Sequence, residues 1–184
     1  MSMQYAFDLE ATQWLRVPLA FPDGEDADVF TWAARVADAR VHGREDLRRA
    51  IIGRATEVAA VLGPREAAAE RLWLLPSPQA PEAIAHLYFA DAAGEPAEAF
   101  VLAGAEGGAQ AVRSIEGTGC DEALAAELLA ETEQGMLAIS RRIARMDGTI
   151  ALIEVIDAAP TPVAAEDGPL DQLLRGLVLR PAAG

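Results

Sequence analysis

Few residues in this chain carry side chains that could do chemistry. The single cysteine, Cys120, sits in Gly117-Thr118-Gly119-Cys120-Asp121-Glu122. A thiol at a helix N-terminus is activated, because the dipole favours the thiolate. Here Asp121 and Glu122 oppose that negative charge, and the only imidazoles, His42 and His86, lie far away in sequence. A small packed or loop thiol is the plainer reading. One cysteine also excludes an internal disulfide framework and the ordinary cysteine-based zinc sites. A two-histidine metal site would need carboxylate ligands to which no spacing points. His86, in an alternating stretch, reads as a cross-strand side chain. His42, at a helix–loop junction, reads as a last-turn partner of the helix dipole.

The acidic cluster Asp23-Gly24-Glu25-Asp26-Ala27-Asp28 invites a calcium-loop reading, which needs Gly at the sixth position and Glu at the twelfth. Counted from Asp23, those positions hold Asp28 and Ala34. The cluster reads instead as a solvated turn whose last carboxylates cap the next helix. Ser2, Ser77, Ser114 and Ser140 are the only serines, and none lies in a G-x-S-x-G elbow. Gly104-Ala105-Glu106-Gly107-Gly108 lacks the Lys and Ser/Thr of a phosphate loop, and Glu106 would repel phosphate. With 29 acidic residues, any carboxylate pairing is available, so none is informative. No catalytic residue, metal ligand or cofactor is expected.

The Arg141-Arg142-Arg145 group is a basic cluster besides Arg44, Arg48, Arg49 and Arg54. On a strand, Arg141 and Arg145 share a face. They could dock an acidic peptide or a carboxylate ligand, or pair with the protein's own carboxylates on a neighbouring strand. Trp14, Trp32 and Trp73 stand in apolar-periodic context and read as core. A Trp exposed beside Phe21 would instead mark a protein-binding patch. The candidate interaction residues are therefore Arg141, Arg145, Phe21 and Trp14.

These residues must be positioned by a chain of 184 residues with 15 basic and 29 acidic side chains, a formal charge of −14. That length suits one domain. A 52% hydrophobic content is enough for a sizeable core. The acidic balance argues against nucleic acid and anionic membrane surfaces as partners. Every cation is Arg, and there is no Lys or Asn. Ala makes up about a fifth of the chain, well above usual globular content. It favours helix wherever it occurs and so blurs helix assignment. The first residues lack a basic n-region and an apolar h-region, so no signal peptide is expected. The most apolar run, Thr149 to Ile156, is too short to span a bilayer and is cut by Glu154. A soluble, cytoplasmic protein is expected.

Alternation over Gln13 to Leu19 predicts a strand with Leu15, Val17 and Leu19 inward, and Pro18 places it at a sheet edge or end. Asp26 or Asp28 can cap a helix running to about Arg40, with Val29, Trp32, Ala33, Val36 and Ala37 on one face. A second helix spans roughly Glu45 to Leu62, with Leu47, Ile51, Val58 and Leu62 apolar, and Gly63-Pro64 ends it. Arg65 to Glu70 adds a helical turn. Strands follow at Arg71 to Leu75, Ile84 to Asp91, Ala97 to Ala103 and Gln110 to Glu116, an antiparallel meander. Asp121 to Glu133 reads as a helix or a long connection. Asp147-Gly148, between Met136–Met146 and Thr149–Asp157, is a strong hairpin signal, since both turn residues need positive φ. Pro169 to Leu179 reads as a closing helix, with about 1–12 and 180–184 peripheral. The sum is a single α+β domain, an antiparallel meander sheet packed by two N-terminal helices and a C-terminal helix.

The opening Trp14-Leu15-Arg16-Val17-Pro18, an aromatic strand running into Pro and then a helix, resembles the Mog1/PsbP-like α+β family of small actinobacterial proteins and lipoproteins. The close of the chain is similar too: a hairpin at Asp147-Gly148-Thr149, a strand over Ile150 to Ile156, an acidic loop and a helix over Leu170 to Leu179. The resemblance implies an accessory or binding role rather than an enzymatic one. Exported members of that family carry a signal peptide, which this chain is not expected to have. The likeness lies in element order, so no functional residue is carried over.

Two functions are expected from this reading. One is a non-catalytic accessory or protein-binding domain that acts through a sheet face or edge on another protein, a homodimer included. The other is a carrier or sensor of a small apolar ligand in a cleft between helices and sheet.

Overall fold

A computed structural model of the chain describes residues 3–9, 13–40, 43, 45–60, 68–75, 82–104, 109–132, 135–157 and 162–181. The fold is α+β. It divides into two compact units, one of residues Arg16–Glu66, the other of Met1–Leu15 with Ala67–Gly184.

The Arg16–Glu66 unit is helical. It opens with a turn in which Asp23 and Asp26 exchange backbone hydrogen bonds of 3.0 and 2.9 Å. Gly24 supplies the positive φ of 57° that this turn requires. Helix α1 covers Val29–Arg40. Asp28 caps it, accepting from the Thr31 amide at 2.8 Å and the Thr31 hydroxyl at 2.9 Å; these bonds lower the Asp28 carboxyl pKa. Asp26 is buried and held by Arg35 at 2.6 Å. Trp32, Ala33, Val36 and Ala37 form the buried stripe expected from helical spacing. Helix α2 covers Glu45–Ala60, with Glu45 and Asp46 at its positive end. Arg48 of α2 reaches Asp38 of α1 at 2.6 Å. Its buried positions are Ala55 and Val58, whereas Leu47 is exposed and Ile51 half-buried. The apolar stripe of α2 thus begins later than its large side chains suggest. Leu62, Gly63-Pro64, His42 and the first part of the turn expected over Arg65 to Glu70 lie outside the described residues; its described part, 68–70, is not helical, and Glu70 begins a strand.

The second unit carries nine strands. Strand β1 (Met3–Phe7) pairs antiparallel with β9 (Leu177–Pro181) as a two-stranded sheet. The other seven are β2 (Trp14–Val17), β3 (Glu70–Leu74), β4 (Ala83–Asp91), β5 (Ala109–Ser114), β6 (Glu122–Thr132), β7 (Gly135–Met146) and β8 (Thr149–Asp157). They lie in the order β2-β3-β4-β8-β7-β6-β5. The sheet places β2 at an edge, where Pro18 requires the chain to leave the ladder. Val17 is buried as alternation expects, whereas Leu15 is half-buried and Leu19 exposed, and Trp14, of the other parity, is buried as well.

Three further elements differ from the sequence reading. Ala97–Val101 is a helix, α3, not a strand. Pro96 is extended at its N-cap, and the spacing of Ala97 and Val101 buries both on one face. The segment read as a helix or connection is strand β6, an inner strand whose Ala123, Leu124, Ala125 and Ala126 are all buried. A strand covered on both faces loses the alternation that reveals strands, and its Ala and Leu imitate helix. The closing helix, α4, ends at Arg175, and the chain continues as β9. The Asp147-Gly148 turn joins β7 to β8 with φ of 49° and 75°, as its dipeptide requires.

Each face of the large sheet carries a core. On one, Leu87, Ile153, Ala125 and Ala144 cluster with Leu170, Leu173 and Leu174 of α4 and Leu177 and Leu179 of β9. On the other, Leu124, Leu128, Ile143 and Ile150 cluster with Ala97 and Val101 of α3.

Candidate functional site

Both apolar faces are interrupted by charge. On the α4 side, Arg142 is fully buried. Its Nε donates to Asp171 at 2.6 Å, and its Nη1 to Glu127 at 2.6 Å and to the Arg141 carbonyl at 2.9 Å. Its Nη2 donates to the Ala164 carbonyl at 2.6 Å, in the 3-10 turn Pro162–Ala164. Asp171, on α4 and equally buried, also accepts from Arg113 of β5 at 2.8 Å on each oxygen and from the Asp167 amide at 2.9 Å. Burial would raise the Asp171 carboxyl pKa, but the bonds from Arg113 and Arg142 outweigh it, so the net displacement is downward. Ser140 donates to Glu127 at 2.5 Å. Each nitrogen of the buried Arg142 guanidinium and each oxygen of the buried Asp171 carboxylate has a protein partner, which is the signature of a structural clamp holding α4 on β7.

The opposite face carries a row set by strand register. Arg71 of β3 is opposite His86 of β4, His86 is opposite Glu154 of β8, and Glu154 is opposite Arg141 of β7. Directly opposite side chains fall on one face, so four polar residues cross four strands in line. All four are buried. The Nε of Arg141 donates to Glu154 at 2.8 Å, and its Nη1 donates to the Ala103 carbonyl and, at 3.3 Å, to the Val101 carbonyl at the end of α3. Nε2 of His86 is buried and makes no hydrogen bond. The Tyr88 ring lies 6.3 Å from the imidazole. Desolvation lowers the His86 pKa, Arg71 lowers it further, and Glu154 partly opposes both. Burial likewise lowers the Arg71 pKa. The imidazole is thus held neutral, without a nucleophile beside it in the row.

The sequence candidates are placed as follows. Arg141 lies inside this row. Arg145 lies 3.9 Å from Glu122, its register partner on β6. Trp14 is core on the α4 side, its indole donating to the Pro169 carbonyl at 3.1 Å. Trp32 and Trp73 are equally buried, and Phe21 is half-buried. Cys120 packs half-buried against the α4-side core, where burial and then Asp121 raise its pKa. The fold does not bring Cys120 and His86 together, since they serve opposite faces. Arg71 and Asp171 were not singled out in the sequence, where Arg142 stood only as a member of the basic cluster and Glu154 only as a break in an apolar run. The available signal was a charged residue inside an apolar strand, as Glu154 is in Ile150–Ile156, because a buried charge demands a partner. Among the described residues, no group of three or more His, Cys, Asp or Glu could hold a metal ion, and no helix is long and apolar enough to cross a membrane.

No family model, no curated protein and no solved structure matches the chain.

Proposed function

We propose that the chain is a non-catalytic accessory domain that binds another protein, a second copy included, through one end of its large sheet. One observation carries this reading. Among the described residues, β5 pairs with β6 only from Leu124 to Leu128, and β8 pairs with β7 only from Ala138 onward. The β6–β7 ribbon continues past both, pairing Ala130 with Leu137, Glu131 with Met136 and Thr132 with Gly135. Met136 is half exposed on this ribbon, and Ile156 is exposed at the adjoining end of β8. A projecting ribbon with apolar side chains is suited to strand or side-chain docking.

The committed state of the buried charges supports the same reading. Arg141, Arg142 and Asp171 serve the protein's own packing, which leaves the exposed ribbon as the better candidate for contact. Membership in the Mog1/PsbP-like group belongs to the same proposal, supported by the β7–β8 hairpin and helix α4, with strand β9 following where that order has a closing helix. The test is affinity capture by the wild-type chain and by Met136→Glu, each checked for its urea unfolding midpoint. The proposal expects a specific partner or self-association that Met136→Glu abolishes while the midpoint is kept. Equal capture by both proteins, or a wild-type chain that stays monomeric and captures nothing specific, overturns it.

A further inference from the structure

The Arg71–His86–Glu154–Arg141 row has a property that the clamp on the other face lacks. In the clamp, two guanidinium groups meet two carboxylates, and each nitrogen of the Arg142 guanidinium and each oxygen of Asp171 has a partner. In the row, Glu154 is taken up by Arg141 at 2.8 Å, and the imidazole between Arg71 and Glu154 leaves Nε2 buried without a hydrogen bond. An orphaned buried donor or acceptor costs about 1–3 kcal/mol. A fold keeps such a group where the surrounding packing imposes it or where the group has a use.

We propose that His86 is an acid-sensitive release for the face of β3 and β4 on which it lies. The described groups that act on the ring are Arg71 from β3, Glu154 from β8 and Tyr88 from its own strand. Arg141 of β7 acts through Glu154. The row sets the ring between the guanidinium of Arg71 and the carboxylate of Glu154, which Arg141 already engages. Proton uptake on the ring places a buried positive charge beside Arg71, with the Glu154 carboxylate already taken. The low interior dielectric makes that charge expensive unless the line parts and admits water. The clamp on the far face contains no histidine, so α4, β7 and β8 stay in place while β3 and β4 loosen. Trp73, on the same face of β3 as Arg71 and buried, with its indole 2.7 Å from Glu82, reports the change.

The experiment uses the full chain and no ligand. Amide exchange of β3 and β4, corrected for the intrinsic pH dependence of exchange, is compared between pH 7.5 and 5.0 in wild type and His86→Gln, together with Trp fluorescence. The expected result is a several-fold acceleration confined to β3–β4 in wild type and its absence in His86→Gln. The ring's own titration is followed by NMR in the wild type, with His42→Gln identifying the second imidazole signal. This arm stands even if His86→Gln fails to fold, and it expects a His86 midpoint below the ordinary histidine value. An identical acid response in His86→Gln, no β3–β4 response in the wild type, or a His86 ring that titrates at its ordinary value overturns the proposal.

Discussion

Replacing Asp171 by Asn keeps the shape of the side chain and removes its charge. The carboxylate accepts from Arg142 at 2.6 Å, from Arg113 at 2.8 Å on both oxygens and from the Asp167 amide at 2.9 Å. Asp171 and Arg142 are both fully buried, while the Arg113 side chain is 29% exposed. Removing one partner of a buried ion pair costs about 3–5 kcal/mol, because the other charge is left behind. Arg142 keeps Glu127 and two carbonyls, and Arg113 can turn toward water, so the low end, about 3 kcal/mol, is expected for Asp171→Asn. The double variant Arg142→Met with Asp171→Leu removes both charges and is expected to recover much of that loss. The assay is urea unfolding followed by Trp fluorescence with a shared m-value, read as a double-mutant cycle. An Asp171→Asn deficit below about 0.5 kcal/mol, within the range of an ordinary surface change, would refute the claim that this array is a clamp.

Other outcomes follow from the same structure. The Asp171 pKa is lowered on folding, so its stabilisation is present above the unfolded carboxylate pKa and lost as pH falls through the folded one. Acid titration of stability should therefore show the gap between wild type and Asp171→Asn closing below about pH 4. The His86 pKa is also lowered, and here the unfolded chain binds the extra proton. Stability should fall as pH drops below the ordinary histidine value of 6.5, and less so in His86→Gln. Gly148→Ala places a side chain at φ 75° and should cost about 1–2 kcal/mol in chemical denaturation. The Cys120 thiol, with its pKa raised by burial and by Asp121, should react with iodoacetamide at pH 8 more slowly than free cysteine does; an equal rate would contradict the placement.

Legibility in the sequence followed the physics of each element. Helix α1 was readable because Asp28 caps it and Trp32, Ala33, Val36 and Ala37 keep one face. The β7–β8 hairpin was readable because Asp147-Gly148 tolerates the left-handed backbone that the turn needs. Strand β6 was not readable: with Ala123 to Ala126 buried on both sides, neither period survives. Helix α3 was misread because Phe100, Val101 and Leu102 favour strand locally, and only its packing on the sheet decides otherwise. Strand β9 was hidden by Leu177 and Leu179, which continue the leucine run of α4. The row through His86 was out of reach for a different reason. Register brings Arg71, His86, Glu154 and Arg141 side by side from four separate strands, and no local pattern encodes register between strands so distant in sequence.

The pairing of Met3 with Pro181 and of Phe7 with Leu177 has a kinetic consequence. Strand β1 precedes its partner β9 by all the other described elements, so the small sheet cannot form until β9 has been synthesised. Closing a loop of that length is entropically costly and comes late. Until then Tyr5 and Phe7, which pack on the α4-side core, have no strand to lie against. The nascent chain must carry an unsatisfied aromatic edge until β9 is made, and that interval is when it is most exposed to misassociation.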